Sequence, residues 1–276
     1  MKPPAFPVAW NIVSAQLMAD TPASFVWEVR RADGSRAVVK DMKPAGLENE
    51  KTGARFLQWR NGRDAVRLLG WENQAHLLEY AGDRTLLDEL NEKGDEAASE
   101  LAIEMLVRLG DNSGLDTPQG LTPLDEHFRS LFTRADHDRQ NGRETLFTDA
   151  ADCARKLIAN QRDLRPLHGD FHHENMLQGP RGWLLIDPAG VYGDACYDAA
   201  NLFYNPLDRD DLRGDPARAE RLARQLARRL GREESDFLLY GFVHACLSAS
   251  WHLGDDNRQE AERSLGVARA VRAAFQ

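Results

Sequence analysis

Asp170 and Asn175 stand five residues apart in the segment LHGDFHHENMLQ, residues 167–178. Two chemistries compete for that segment. His168, Asp170, His172 and His173 are residue types that gather around a transition metal. Asp170 and Asn175 are also the types used in phosphoryl transfer, where a carboxylate orients the attacking hydroxyl and oxygen ligands hold a divalent cation. The residues that follow favour the second chemistry. Asn175 leads into Met176-Leu177, and after a turn at Gly179-Pro180 comes Trp183-Leu184-Leu185-Ile186-Asp187. Two short strands joined by that turn set Asn175 near Asp187. A side-chain carbonyl and a carboxylate at one spot are hard oxygen ligands, suited to Mg²⁺. The transition-metal reading leaves Asn175 and Asp187 unexplained, and adjacent His172 and His173 diverge on an extended loop. His172 then reads as a loop-packing histidine.

Phosphoryl transfer also asks for a cation at the nucleotide phosphates, held by an acid. Only six of the 35 basic residues are lysines, and one of them, Lys40, ends the apolar run Ala37-Val38-Val39. Glu50 shares a helical face with Ala54 and Leu57, at i+4 and i+7, so it points inward. Its competitor Glu48 shares a face with Lys51, Thr52 and Arg55, a solvated set. The Lys40–Glu50 pair is therefore the one expected.

These residues need elements to position them. Residues 25–31 alternate, Ala32-Asp33-Gly34-Ser35 makes a turn, and residues 36–40 resume as a strand. Residues 49–59 read as a helix ended by Asn61-Gly62. Residues 65–71 and 75–80 read as two more strands. After Gly82 the pattern turns helical: residues 85–111 with a break at Gly94, a helix capped by Thr122 with Pro123 in its first turn, and residues 145–161. Residues 182–187, GWLLID, form a short buried strand. Asp215-Pro216 opens a basic helix to Leu230, and residues 235–253 and 257–275 form a helical tail ending near Trp251, His252 and Asp255. The fold class expected is α+β and bilobed: a small antiparallel-sheet lobe over residues 1–82 and a larger, mainly helical lobe over residues 83–276.

Composition sets the outer limits. The chain has 276 residues, 42% apolar and 29% charged, an ordinary balance for a folded protein with two sizeable cores. No apolar run reaches the ~20 residues needed to span a bilayer, and the N-terminal MKPPAFPVAWNIV lacks an apolar core of signal-peptide length. The expected location is the cytoplasm, away from membranes. Three widely spaced cysteines, Cys153, Cys196 and Cys246, fit reduced thiols. A net charge of −9 argues against nucleic-acid binding and suits a small cationic substrate. A monomer is expected.

The order of strand lysine, helix glutamate, HGDxxxxN and a following ID resembles the protein-kinase-like fold in its aminoglycoside phosphotransferase branch. The segments LHGDFHHENML, WLLIDPAGVYGDACYDAANLFYNP and FLQWRNGRDAVRLLGW are most similar to the streptomycin 6-kinase and hydroxyurea kinase subfamily, and the likeness covers nearly the whole chain. The resemblance implies an ATP- and Mg²⁺-dependent O-phosphotransferase acting on an aminoglycoside, streptomycin above all. Alternatives are a kinase of another small hydroxylated metabolite or of hydroxyurea, and a nucleotide-binding pseudoenzyme. It implies Asp170 as the catalytic aspartate, Asn175 and Asp187 as Mg²⁺ ligands, and Lys40 on the α- and β-phosphates with Glu50 as partner. It further implies backbone groups of Glu79 and Ala81 as the adenine hinge, and His168 as a brace of the catalytic loop. A polycationic acceptor calls for carboxylates, and Asp194, Asp198 and Asp255 are the candidates. Asp198 reads first as an anchor of the catalytic loop. The chain departs from protein kinases where it has ADTPAS in place of a G-x-G-x-x-G turn. It departs again where Pro188-Ala189-Gly190 follows Asp187, which speaks against a flipping switch.

Overall fold

The computed structural model describes residues 3–44 and 46–275, apart from the side chains of Glu48 and Asn49. Five antiparallel strands come first in the chain. They are β1 (Ile12–Asp20), β2 (Ser24–Arg31) and β3 (Arg36–Met42), followed after helix α1 (Leu47–Arg60) by β4 (Leu68–Glu72) and β5 (Ala75–Glu79), with sheet order β1-β2-β3-β5-β4. The β2–β3 turn is set by Gly34, whose φ of +84° a side chain would resist, and by Asp33, whose Oδ1 accepts the Ser35 N–H at 2.9 Å. Trp10, Trp27, Val29, Ala37, Val39 and Leu77 pack on one face of the sheet as a small core of their own.

The chain then becomes helical. Short β6 (Arg84–Thr85) leads into α2 (Leu86–Lys93), where Thr85 and Asp88 cap each other's backbone, and α3 (Asp95–Leu109) follows Gly94. Next come β7 (Thr122–Pro123), α4 (Leu124–His127), α5 (Arg129–Gln140) and α6 (Leu146–Ala159). Strands β8 (Leu164–Leu167), β9 (Met176–Gly179), β10 (Gly182–Leu185) and β11 (Val191–Asp194) carry the loops between them. The last elements are α7 (Ala200–Tyr204), α8 (Asp210–Arg213), α9 (Pro216–Leu230), α10 (Glu234–Gly254) and α11 (Arg258–Ala273). Helix α10 runs through the middle of the larger core, with Phe237, Phe242, Val243 and Leu247 almost fully buried. No helix among the described residues is long and apolar enough to cross a membrane.

Three local expectations shift. Lys40 does not end its strand: β3 continues to Met42, and Lys40 sits opposite His76 of β5. The run beginning at Ala65 is split, because Ala65 bridges to Leu185 and only residues from Leu68 join the sheet. Thr122 does not cap a helix. Thr122 and Pro123 pair in parallel with Val191 and Tyr192 of β11, the Thr122 N–H donates to Gly190 O at 3.0 Å, and Pro123 itself stands at the helix entrance. A proline, having no N–H to satisfy, fits that boundary.

Candidate active site

The catalytic-loop segment is hung from one carboxylate. Asp198 is buried, and its two oxygens accept the backbone N–H groups of His168 at 3.0 Å and Gly169 at 2.7 Å. Burial raises its pKa to about 6, against the pull of those two donors. Gly169 has φ of +79°, and a Cβ there would lie 2.6 Å from Val191 Cγ2. His168 is fully buried, and burial lowers its pKa to about 4, so it is neutral. Its Nε2–H donates to Ile186 O at 2.9 Å, and its Nδ1 accepts the Asp170 N–H at 3.3 Å. The histidine thus ties the loop to the strand end that precedes Asp187, the bracing role the resemblance implied.

Asp170 faces the cleft with its side chain 43% exposed. Asn175 Nδ2 donates to Asp170 Oδ2 at 3.0 Å and to Asp170 O at 2.9 Å. Asn201 Nδ2 donates to Oδ1 at 2.7 Å, and Asn205 Nδ2 in turn donates to Asn201 Oδ1 at 2.7 Å. His172 Nε2 stands 3.5 Å from Asp170 Oδ2. Burial favours the neutral acid, but His172 and the other nearby histidines outweigh it and hold the Asp170 carboxyl well below the usual range. His173 turns the other way, into the core, where its two ring nitrogens find no partner among the described residues. The two adjacent histidines therefore diverge.

Across the cleft, Lys40 Nζ reaches Glu50 Oε1 at 2.6 Å and Asp187 Oδ1 at 2.5 Å. Burial opposes the Lys40 charge, yet Asp187 and Glu50 more than offset it and raise the pKa above that of an ordinary lysine. Glu50 lies in the first turn of α1, whose start just after β3 makes the short spacing workable. The side chain of Glu48 lies outside the described residues. Asp187 adopts φ of +58°, a left-handed conformation that aspartate tolerates better than most residues. The hairpin of β9 and β10 forms as expected, and the Ile186 N–H donates to Asn175 O at 2.9 Å, which fixes Asn175 next to the chain carrying Asp187. With Nδ2 of Asn175 committed to Asp170 and one Asp187 oxygen committed to Lys40, Asn175 Oδ1 and the second Asp187 oxygen take no donor among the described residues. Two hard oxygens with free lone pairs fit a Mg²⁺ ion.

The segment after Asp187 is wedged against α1. Thr52 Oγ1 donates to Ala189 O at 2.7 Å, and a Cβ on Gly53 would lie 2.1 Å from Pro188 O. The ADTPAS turn is closed by Thr21, whose Oγ1 accepts the Ser24 N–H at 3.0 Å and donates to Ser24 O at 2.9 Å, so that hydroxyl is used within the turn. Ala23 borders the cleft. At the far end, the Glu79 carboxylate is held by Arg181 (2.6 and 2.7 Å) and by the Arg67 N–H (3.0 Å), while Ala81 is buried against Gly179.

The acceptor-side candidates separate. Asp194 is almost fully buried, accepts the N–H groups of Arg162 and Cys196 at 3.0 Å each, and pairs with Arg232 at 3.1 Å. It caps the helical turn that follows β11 and is not available to a substrate. Asp198 is likewise consumed by the loop it anchors. Asp255 is exposed and lines an outer chamber of about 1320 Å³ with Trp251 and Glu126. That chamber shares His127, Ala189 and Trp251 with the inner cleft of about 400 Å³ around Asp170. Sequence reasoning missed Asn201, although it follows Asp198 at i+3 in the quoted YDAANLFYNP run, a helical spacing that places both toward the same loop.

Comparison with known proteins agrees with this arrangement. A family model described as aminoglycoside/hydroxyurea antibiotic resistance kinase matches residues 9–256. The chain is 33% identical over 252 residues to streptomycin 3''-kinase of Klebsiella pneumoniae, covering 89% of this chain and 90% of that protein. It is 33% identical over 204 residues to streptomycin 6-kinase of Streptomyces glaucescens, covering 68% and 61%. Among solved structures, a Plasmodium vivax ethanolamine kinase matches with a TM-score of 0.67 at 12% identity, covering 96% of this chain and 84% of that one. Aminoglycoside phosphotransferase APH(4)-Ia matches with a TM-score of 0.66 at 15% identity, covering 96% and 95%. At those identities the structures speak for the fold alone: the bilobed kinase-like fold.

Asp198→Ala should orphan two buried backbone donors, each costing about 1–3 kcal/mol. The expected outcome is a lower melting temperature together with a fall in turnover, read by calorimetry and a coupled phosphoryl-transfer assay. A variant that melts and turns over like the wild type would contradict the anchoring role.

Proposed function

The chain belongs to the aminoglycoside/hydroxyurea antibiotic resistance kinase family, and from that premise we propose that it transfers the γ-phosphate of ATP to a hydroxyl of streptomycin. The observation that carries the reading is the meeting of Lys40, Glu50 and Asp187, drawn from the sheet, the first helix and the far side of the cleft. A lysine so held presents a fixed positive charge where nucleotide phosphates have to lie. Asn175 and Asp187 hold Mg²⁺ through their free oxygens, and the bound ion neutralises phosphate charge. Backbone groups of Glu79 and Ala81 read the adenine edge, the Glu79 side chain being kept aside by Arg181.

Asp170 does the work at the acceptor. Asn175 and Asn201 fix its carboxylate, and the neighbouring histidines keep it ionised, so it accepts a hydrogen bond from the acceptor hydroxyl and aims the oxygen at the γ-phosphate. The contribution is orientation plus charge neutralisation. In the outer chamber Glu126 is paired with Arg129 at 2.5 Å, whereas Asp255 has no ion pair among the described residues. Asp255 is therefore the carboxylate best placed to meet a guanidinium of the antibiotic. The two streptomycin kinases named above differ in the hydroxyl they are named for, and NMR of the phosphorylated product assigns the position for this chain.

Three outcomes are expected. Asp170→Asn should leave ATP affinity intact and lower kcat by ~10²–10⁴, the range for a positioned acid–base group; activity near the wild-type level removes Asp170 from the chemistry. Lys40→Met and Glu50→Gln should each reduce kcat/KM, and the double variant should lose less than the sum of their free-energy effects, because Glu50 acts through Lys40. Strict additivity in that double-mutant cycle would separate the two residues. The KM for streptomycin should rise with salt, because exposed ion pairs are screened within about 8–10 Å at physiological strength. In Asp255→Asn the KM should rise and its salt dependence weaken, with kcat little changed. A salt-independent KM in the wild type would refute the electrostatic part of the reading.

A further inference from the structure

We propose that His127, Tyr197 and His244 form a hydrogen-bonded relay that reads a second hydroxyl of the acceptor beside the one aimed by Asp170; the inference rests on the kinase reading above. The three residues come from separate elements: the end of α4, the turn after β11 and the middle of α10. The Tyr197 hydroxyl lies 2.7 Å from His127 Nε2 and 3.1 Å from His244 Nδ1. Tyr197 is almost fully buried. The edge of Trp251 packs on both imidazoles, with ring centroids 5.6 Å from His127 and 6.3 Å from His244. The rings are held, and their orientation is not free.

The remaining nitrogens, His127 Nδ1 and His244 Nε2, take no hydrogen bond among the described residues, and both histidines line the inner cleft together with Asp170. Burial lowers the pKa of His127 to about 4 and that of His244 to about 3, so both are neutral. A neutral imidazole has one N–H and one bare nitrogen, and a phenol has one proton. If Tyr197 donates to His127 Nε2, then His127 carries its proton on Nδ1, and His244 must donate from Nδ1 to the phenol oxygen. The cleft then sees a donor at His127 and an acceptor at His244. Turning the phenol proton reverses both together. In either state the cleft faces one donor and one acceptor, and the two rings share one tautomer.

A hydroxyl matches that pair, because it donates and accepts at once. An ammonium or guanidinium group only donates, so it leaves the imidazole N–H facing another N–H. Lining the cleft with Asp170 are thus a carboxylate for the reacting hydroxyl and a relay that discriminates neighbouring hydroxyls from the cations with which aminoglycosides are decorated. Tyr197 does not reach the acceptor and acts as a positioning residue for the two histidines. Sites built to hydrogen-bond a hydroxyl discriminate strongly against groups that cannot reciprocate.

Two measurements on the full chain test this. Nitrogen-15 correlation NMR reports the tautomer of each histidine without any acceptor. Wild type should show His127 and His244 in the same tautomer or the same tautomer ratio, and Tyr197→Phe should make the two ratios differ. Opposite tautomers in the wild type, or ratios unchanged in Tyr197→Phe, would overturn the relay. Steady-state kinetics with streptomycin and Mg·ATP supply the second arm. An asparagine amide can stand where Nδ1 of His127 stood, and a glutamine amide where Nε2 of His244 stood. His127→Asn and His244→Gln should therefore keep the streptomycin KM within about threefold, whereas His127→Phe and His244→Phe should raise it about tenfold or more, with the KM for ATP unchanged in all four. A wild-type streptomycin KM in the folded phenylalanine variants, or an equal rise in the KM for ATP, would overturn the acceptor role. If the wild type phosphorylates no aminoglycoside, the substrate reading fails, and the NMR arm still decides whether the relay exists.

Discussion

Two backbone N–H groups, those of His168 and Gly169, must be satisfied where no water reaches, and Asp198 satisfies both. Hydrogen bonds to a charged acceptor contribute about 1.5–3 kcal/mol each. The larger consequence is geometric. With the start of the loop pinned, His168 has one place to stand, and its ring fastens the loop to Ile186 on one side and Asp170 on the other. Asp170, Asn175 and Asp187 are then related through a few short hydrogen-bonded steps of rigid backbone. A working carboxylate can be half exposed and still well aimed because its support is buried.

The Lys40 ion group follows a different logic. Taking a lysine and a glutamate out of water costs several kcal/mol, and their attraction returns that only in part, so such a group is weak support for stability. Its cost is intelligible as an outlay on geometry. Lys40 sits on the sheet, Glu50 on α1 and Asp187 beyond the hairpin of β9 and β10, and the three meet only when those parts are correctly docked. The same docking is enforced sterically, since Gly53 and Gly190 allow α1 to approach the Pro188–Gly190 backbone at distances that a Cβ would forbid.

Much of this was legible in the sequence. Lys40, Glu50, Asp170, Asn175 and Asp187 declare themselves because each breaks a local pattern: a charge ending an apolar run, an acid on an apolar helical face, polar side chains between buried strands. Asn201, Asn205, Tyr197 and His244 do not, because polar and aromatic residues inside a helix read as ordinary core, and the partners that give them meaning lie about 30–50 positions away. Asp194 misled for the complementary reason. Its neighbours in sequence are site residues, but β11 carries it to the opposite end of the strand, where Arg232 awaits it. Spacing along the chain reports faces of elements; it does not report which end of a strand meets solvent.

The wedge of Pro188, Ala189 and Gly190 under α1 has a consequence for control. In protein kinases the corresponding stretch is a movable part, and its displacement is how those enzymes are silenced. Here the stretch is bolted to the helix that carries Glu50, through Thr52 and through backbone contact at Gly53 and Gly190. Such an enzyme has no resting posture to be roused from. It is armed from the moment it folds, and a cell that carries it can govern its output only by how much of it is made and by what drifts into its mouth.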